Sequence, residues 1–262
     1  MPEIKTRTQG MFYWTDLVTT DAEGAKSFYQ ELFGWTAVDQ PMGEGLFYTL
    51  LQKNGKDVCA LYPMNEEQKK HGVPPHWLTY IYVKNVDETA AKVAPAGGRI
   101  LMEPFDVFDA GRMAVLQDPS GAVVALWQAK AHQGAELFAE HGALGWTELL
   151  TRETEKAENF YKQILGYETE HQQMGPTEYI VFKAEDQPAA GMMEIAPEWG
   201  DVPPHWMVYF VVDACEATVE RAQQLGARVL VPPTDIPEVG SFATLQDPQG
   251  AVFSVFQMPQ QT

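Results

Sequence analysis

A chain of 262 residues with 45% hydrophobic content is long enough to bury one large core or two of ordinary size. Lys and Arg number 18 against 36 Asp and Glu, and the resulting net charge of −18 repels phosphate backbones and anionic lipid, which excludes nucleic-acid and membrane partners. No run reaches membrane-spanning length, the opening MPEIKTRTQG has no apolar stretch behind its basic residues, and Cys59 and Cys215 show no CxxC spacing. The composition therefore reads as a cytoplasmic protein without a disulfide framework or zinc knuckle.

The first elements follow from periodicity. Met11 to Val18 alternates as a strand whose even-numbered side chains, Trp14, Asp16 and Val18, share one face. Thr20 and Glu23 have the spacing of a capping box, after which Ala25, Phe28, Tyr29 and Leu32 recur at helical intervals up to Gly34. Strand-like runs follow near 35–40, 46–51 and 57–62, broken by the turn chemistries PMGEG and NGK. The pattern then restarts, with a strand at 77–84, a helix from Val86 to Ala96 ending at Gly97, and strands near 98–102, 112–117 and 122–128. The sequence Asp118-Pro119-Ser120-Gly121 suits a type I turn in the last hairpin.

The second part of the chain repeats the first. Trp14 to Trp35 matches Trp146 to Tyr167 at a shift of 132, and VPPHWLTY at 73–80 matches VPPHWMVY at 202–209 at a shift of 129, with six of eight positions identical. Three residues are thus missing from the second copy between these points, most cheaply from a surface loop. The expected fold class is α+β, with four βαβββ modules in tandem. The expected organisation is one domain over 1–129, a linker over 130–141 and a second domain over 142–262.

Four such modules, with Phe28-Tyr29 and Leu32-Phe33-Gly34, their counterparts Phe160-Tyr161 and Leu165-Gly166, and two DPxG turns, resemble the vicinal oxygen chelate superfamily. That superfamily contains glyoxalase I, bleomycin-resistance proteins and extradiol dioxygenases. The resemblance is strongest to its two-domain glyoxalase-like or hydroxylase subgroup. It implies two glyoxalase-like domains, each a half-open mixed β-barrel whose concave face holds a ligand, and in the catalytic members a divalent metal on that face. The positions where the resemblance implies metal ligands hold Trp14, Leu78 and Ala125 in the first copy and Trp146, Met207 and Ser254 in the second. None of the six suits the cation, so no metal or other cofactor is expected. A minority reading shifts the site two residues along each strand, to Asp16 with His76 and to Glu148 with His205, where Glu194 completes a divalent-metal site in the second half alone.

Strand parity fills the concave faces. Trp14, Asp16, Leu78, Tyr80, Tyr82, Ala125 and Trp127 line the first; Trp146, Glu148, Met207, Tyr209, Ser254 and Phe256 line the second. His76 and His205 stand at the rims, where a histidine after a double proline can also simply fix its loop. Aromatic-lined cavities with one acid suit a small apolar or aromatic molecule held by stacking. The primary expectation is a metal-independent binder. The alternative is a glyoxalase- or hydroxylase-type enzyme in which Asp16 or Glu148, with its pKa raised by aromatic walls, is the general base. A further possibility is that one half binds and the other has become scaffold. The duplication supports either a monomer with an internal pseudo-two-fold or a homodimer, and which modules pair stays open.

Overall fold

The computed structural model describes residues 6–43, 45–174 and 177–259. The first half builds one mixed sheet from β1 (Phe12–Thr19), β2 (Thr36–Gly43), β3 (Leu46–Lys53), β4 (Lys56–Pro63), β5 (His76–Tyr82), β6 (Arg99–Val107), β7 (Gly111–Gln117) and β8 (Val123–Ala129). The second builds an equivalent sheet from β9 (Leu144–Thr151), β10 (Glu168–Met174), β11 (Thr177–Ala184), β12 (Gln187–Glu194), β13 (His205–Val211), β14 (Arg228–Ile236), β15 (Gly240–Gln246) and β16 (Val252–Gln257). The strand orders, β2-β3-β4-β1-β5-β8-β7-β6 and β10-β11-β12-β9-β13-β16-β15-β14, are the same. Module pairing is thereby decided. Within each half the two modules join along one antiparallel ladder, β1 on β5 and β9 on β13, flanked by the parallel pairs β1–β4 and β5–β8 and their equivalents.

Helix α1 (Ala22–Phe33) ends at Gly34 with φ 70°, and its counterpart, the later Thr154–Leu165, ends at Gly166 with φ 74°, the left-handed residues that the repeat predicts. The start of α1 differs from expectation. Asp21, not Thr20, is the N-cap, and its carboxylate accepts from the Gly24 N–H, where its charge also meets the positive end of the helix dipole. A short helix α2 (Glu66–Lys70), capped reciprocally by Asn65 and Gln68, precedes the PPHW loop. The expected Val86–Ala96 helix is cut to α3 (Val86–Ala90), and residues 91–97 continue as turns. Pro95 explains the cut, since it has no N–H to give to Ala91 and biases Ala94 away from helix. The second half carries α4 (Thr154–Leu165), a 3-10 turn (Pro197–Trp199) in place of α2, and α5 (Cys215–Gln224). Thr19 receives Met64 and Thr151 receives Ile195 in the same way, so residues 65–72 of one copy stand against only 196–201 of the other. Two of the three missing residues therefore come from the exposed α2 segment.

The helices lie between the convex faces of the two sheets and bind the halves together. Phe28, Tyr29, Leu32 and Phe33 of α1 share a core with Val208, Phe210, Phe253 and Val255 of the second sheet. Phe160, Tyr161 and Ile164 of α4 share another with Ile81, Leu116 and Leu126 of the first. The repeated motifs meet there. Tyr29 donates its hydroxyl to Asp247 Oδ2 (2.9 Å) and accepts from the Trp77 indole (3.2 Å); Tyr161 donates to Asp118 Oδ2 (3.0 Å) and accepts from Trp206 (3.0 Å). The other oxygen of Asp118 accepts the backbone N–H groups of Ser120, Gly121 and Ala122, closing the predicted turn, and Asp247 does the same with Gln249, Gly250 and Ala251. Burial raises the pKa of both aspartates. Each latch joins a helix of one half to a turn of the other. Cys59 and Cys215 are free and buried in this core. Among the described residues no helix is long and apolar enough to cross a membrane.

Candidate functional site

Residues paired across neighbouring strands point to the same side of a sheet, so the registers assemble the concave faces directly. In the first half Trp14 pairs with Tyr80, Asp16 with Leu78 and Val18 with His76, while Tyr80 pairs with Ala125 and Tyr82 with Trp127. In the second, Trp146 pairs with Tyr209, Glu148 with Met207, Leu150 with His205 and Tyr209 with Ser254, while Phe256 stands against Phe242.

At the centre of the first face Asp16, only 3% exposed, is enclosed by donors. Its Oδ1 accepts from the Trp14 indole (2.7 Å) and the Tyr48 hydroxyl (2.8 Å), and its Oδ2 from the Tyr80 hydroxyl (2.7 Å). Desolvation nevertheless prevails over these three bonds and raises the Asp16 pKa to about 6. The same burial, with the adjacent carboxylate, pushes the Tyr48 and Tyr80 hydroxyls well above their ordinary value.

The second face repeats this cluster with one methylene moved. Glu148 accepts from Tyr209 (2.7 Å) and from Tyr179, but the Trp146 indole donates to the Tyr179 oxygen (2.8 Å) instead of to the carboxylate. Burial raises the Glu148 pKa as well. The longer acid fits because the backbone beside it is bare. Glu148 pairs with Gly191 on β12, whereas Asp16 pairs with Ala60 on β4. A Cβ on Gly191 would overlap the Tyr179 hydroxyl and stand 2.9 Å from the Trp146 indole nitrogen.

The halves differ most in what covers them. Trp14, Tyr80 and Trp127 are buried at 4%, 6% and 8% exposure, but their counterparts Trp146, Tyr209 and Phe256 are half-buried; Tyr48 of the first face and Tyr179 of the second are both half-buried. The segment between the halves makes the difference. The His132 ring stands edge-on to Trp14 at 4.4 Å and to Trp127 at 5.9 Å, and Ala135 joins the same cluster. The space between Trp14 and Trp127 is thus filled by the chain itself.

Several expected site residues sit elsewhere or are otherwise engaged. Tyr82 pairs with Trp127, and its ring stands edge-on to Tyr13 and outside the buried cluster. His76 and His205 hold their Nδ1 atoms 2.8 Å from the Pro74 and Pro203 carbonyls, so each donates within its own loop. Met207 packs on Leu150 and Ile195, and Ser254 shares a hydrogen bond with Thr244 (2.9 Å). Glu194 is exposed at the end of β12. Two cavities of about 260 and 280 Å³ lie at the β14–β15 tip and beside α1, away from both concave faces. Tyr48, Tyr179, Gly191 and His132 were missed by the sequence reading. Both tyrosines recur at matching places in the third strand of each copy, which is a signal that was present. His132 has no repeat partner to reveal it.

The metal enzymes of the resembling superfamily hold a divalent cation on this face, and the donors here do not fit one. Among the described residues no group of three His, Cys, Asp or Glu side chains is placed to hold a metal ion. The carboxylate at the centre of each face is met by tyrosine hydroxyls, and in the first face by an indole N–H as well, which occupy lone pairs that a cation would use.

Tandem βαβββ half-barrels, each with a carboxylate at the centre of its concave face, define a duplicated glyoxalase-like architecture. The family model of the Glyoxalase/Bleomycin resistance protein/Dioxygenase superfamily matches residues 12–126 and again 143–255, and the chain belongs to that superfamily. It is 46% identical over 264 residues to "Putative glyoxylase CFP32" of Mycobacterium bovis, covering 100% of each chain. It is 39% identical over 258 residues to "Anthracycline biosynthesis protein DauV" of Streptomyces sp. strain C5, covering 94% of this chain and 92% of that one. Among solved structures, the Mn(II)-bound glyoxalase from Novosphingobium aromaticivorans superposes with a TM-score of 0.66 at 15% identity, covering 95% of this chain and 82% of that one. The 2,3-dioxygenase LapB from Pseudomonas sp. KL28 gives 0.64 at 14% identity, covering 98% and 95%. At such identities the likeness is one of fold.

Proposed function

We propose that this protein binds a small, flat aromatic molecule without a metal, and that the concave face of the second half is the binding site. The observation that carries this reading is the half-buried ring set Trp146, Tyr179, Tyr209, Phe242 and Phe256 around Glu148. Rings in that state present π-faces to a ligand, and a ligand that covers them gains from apolar burial and offset or edge-on stacking. The rim suits a polar periphery, because Glu170, Gln172, Thr177 and Thr234 fall on the concave side of β10, β11 and β14. The naming of a relative for anthracycline biosynthesis supports a polycyclic aromatic ligand.

Titration with neutral hydroxylated naphthalenes and anthraquinones, followed by tryptophan fluorescence and calorimetry, tests the reading. Binding should be unaffected by chelator and should weaken at least tenfold in Trp146→Ala. Binding that needs an added divalent cation, or that is equal in Trp146→Ala, would overturn it.

A second reading rests on the raised pKa of the buried carboxylates, Asp16 at about 6 and Glu148 above its ordinary value. Such an acid is suited to accept a proton from an acidic C–H or hydroxyl group near neutral pH. Under that reading Glu148→Gln removes turnover of a hemithioacetal or phenolic substrate and leaves affinity nearly intact.

A further inference from the structure

The segment joining the two sheets crosses the first concave face as a strap. Its entry is tied by the Lys130 and His132 N–H groups to the Ala110 carbonyl (3.0 and 2.9 Å) and by the Ala131 N–H to that of Asp109 (3.1 Å). Its exit is tied by the Ala135 N–H to Tyr13 (2.7 Å) and the Glu136 N–H to Asp57 (2.8 Å), while the Arg7 guanidinium donates to the Gln133 carbonyl (2.6 Å) and the Ala135 carbonyl (2.8 Å). Gly134, at φ 84°, makes the tight bend, where a Cβ would stand 2.8 Å from the Tyr13 carbonyl oxygen. Between these anchors the strap inserts the His132 imidazole into the aromatic floor.

That imidazole is an awkward occupant. Its Nε2 is buried with no hydrogen-bond partner among the described residues, which is unfavourable for a polar atom. The ring fits by shape, as a flat group at the edges of Trp14 and Trp127. The trough also extends beyond it. Val38, Leu46, Met102 and Phe105 fall on the concave side of the flanking strands, by their pairing with Leu50, Gly43, Val115 and Met113, and are 37–49% exposed. Asp16 is already met by three donors from its own chain and offers little to a polar ligand.

We propose that the first concave face is a second binding site, held shut by His132, whose occupant is a planar, apolar aromatic molecule that displaces the imidazole and covers the exposed walls. The site is separate from that of the second half and chemically different. The positions equivalent to Val38, Leu46 and Phe105 carry Glu170, Thr177 and Thr234 there.

The test is an NMR titration of protein with 15N-labelled tryptophan, using 2-methylnaphthalene, which has no hydrogen-bonding group. In the wild type the Trp14 and Trp127 indole signals should move only at high probe concentration. In His132→Gly they should move at concentrations at least tenfold lower, while Trp77 and Trp206, in the latches between the halves, report an intact fold. Arg7→Ala, which loosens the strap but keeps the imidazole, should give a smaller gain in the same direction. Trp14 and Trp127 signals that stay fixed in His132→Gly, or that respond at the wild-type concentration, would overturn the proposal. Dimerisation of His132→Gly without probe would also overturn it, by assigning the face to a second copy. The Trp146 signal reports the second-half site separately, so failure there and failure here are distinguishable.

Discussion

Exchanging the acid and its neighbour between the halves tests whether the two clusters are alternative solutions to one packing problem. In Gly191→Ala the new methyl would lie 2.5 Å from Tyr179 Cζ, so the phenol must swing away from Glu148. Overpacking of this kind costs about 1–3 kcal/mol, and losing a hydrogen bond to a buried acid adds about 1.5–3 kcal/mol, so a total of about 2.5–6 kcal/mol is expected. Glu148→Asp alone draws the carboxylate back by one methylene from Tyr179 and Tyr209 and should cost about 1–3 kcal/mol. The double variant recreates the Asp16–Ala60 pair of the first half, in which an alanine methyl and a tyrosine hydroxyl coexist. It should therefore be more stable than the sum of the single changes by at least about 1 kcal/mol, the scale of coupling between touching residues. Urea denaturation of all four proteins, followed by circular dichroism, gives the cycle. Additivity to within about 0.5 kcal/mol would refute the reasoning, because the acid and its strand neighbour would then be independent.

The raised Asp16 pKa makes a prediction about pH. A carboxyl whose pKa rises from the ordinary 3.8 to about 6 on folding holds its proton more tightly in the native state, so this group favours the native state below about 4 and that contribution is lost as pH rises through about 6. The loss amounts to about 3 kcal/mol for a shift of about two units. Asp16→Asn should accordingly gain stability relative to wild type between pH 4 and pH 8, and a difference that stays flat over that range contradicts the assignment. Tyr29→Phe and Tyr161→Phe each strip a donor from a buried aspartate and an acceptor from a buried indole, and each should cost about 1–3 kcal/mol. Because the apolar cores under α1 and α4 are shared between the halves, both variants should still unfold in one transition; two separate transitions would show that the halves fold independently.

Much of this molecule was written in local pattern. The period of the strands, the Phe-Tyr stripe of α1 and α4, the left-handed glycines at 34 and 166 and the DPxG turns depend on residues within a few positions of one another, and all were legible. So was the parity that puts Trp14, Asp16 and Tyr80 on one face and Trp146, Glu148 and Tyr209 on the other, since alternation is a property of the strand alone. The short α3 shows the limit even at that range, because Pro95 weighs against a helix whose apolar spacing continues past it.

The remaining features depended on partners that the linear pattern does not name. Phe-Tyr and DPxG look like separate signatures, yet Tyr29 and Asp247 are 218 positions apart and meet only when α1 lies against the other half's sheet. The trade of Ala60 for Gly191 gains its meaning from a register that puts each beside an acid. His132 belongs to a segment without periodicity, and only the path of the strap carries its ring between Trp14 and Trp127. Covalent order and hydrophobic period determined the modules, their number and their faces. Which modules share a sheet, which half lies open and what each acid touches were decided by contacts distant in sequence, where shape and hydrogen bonding select among arrangements that the periodicity leaves equivalent.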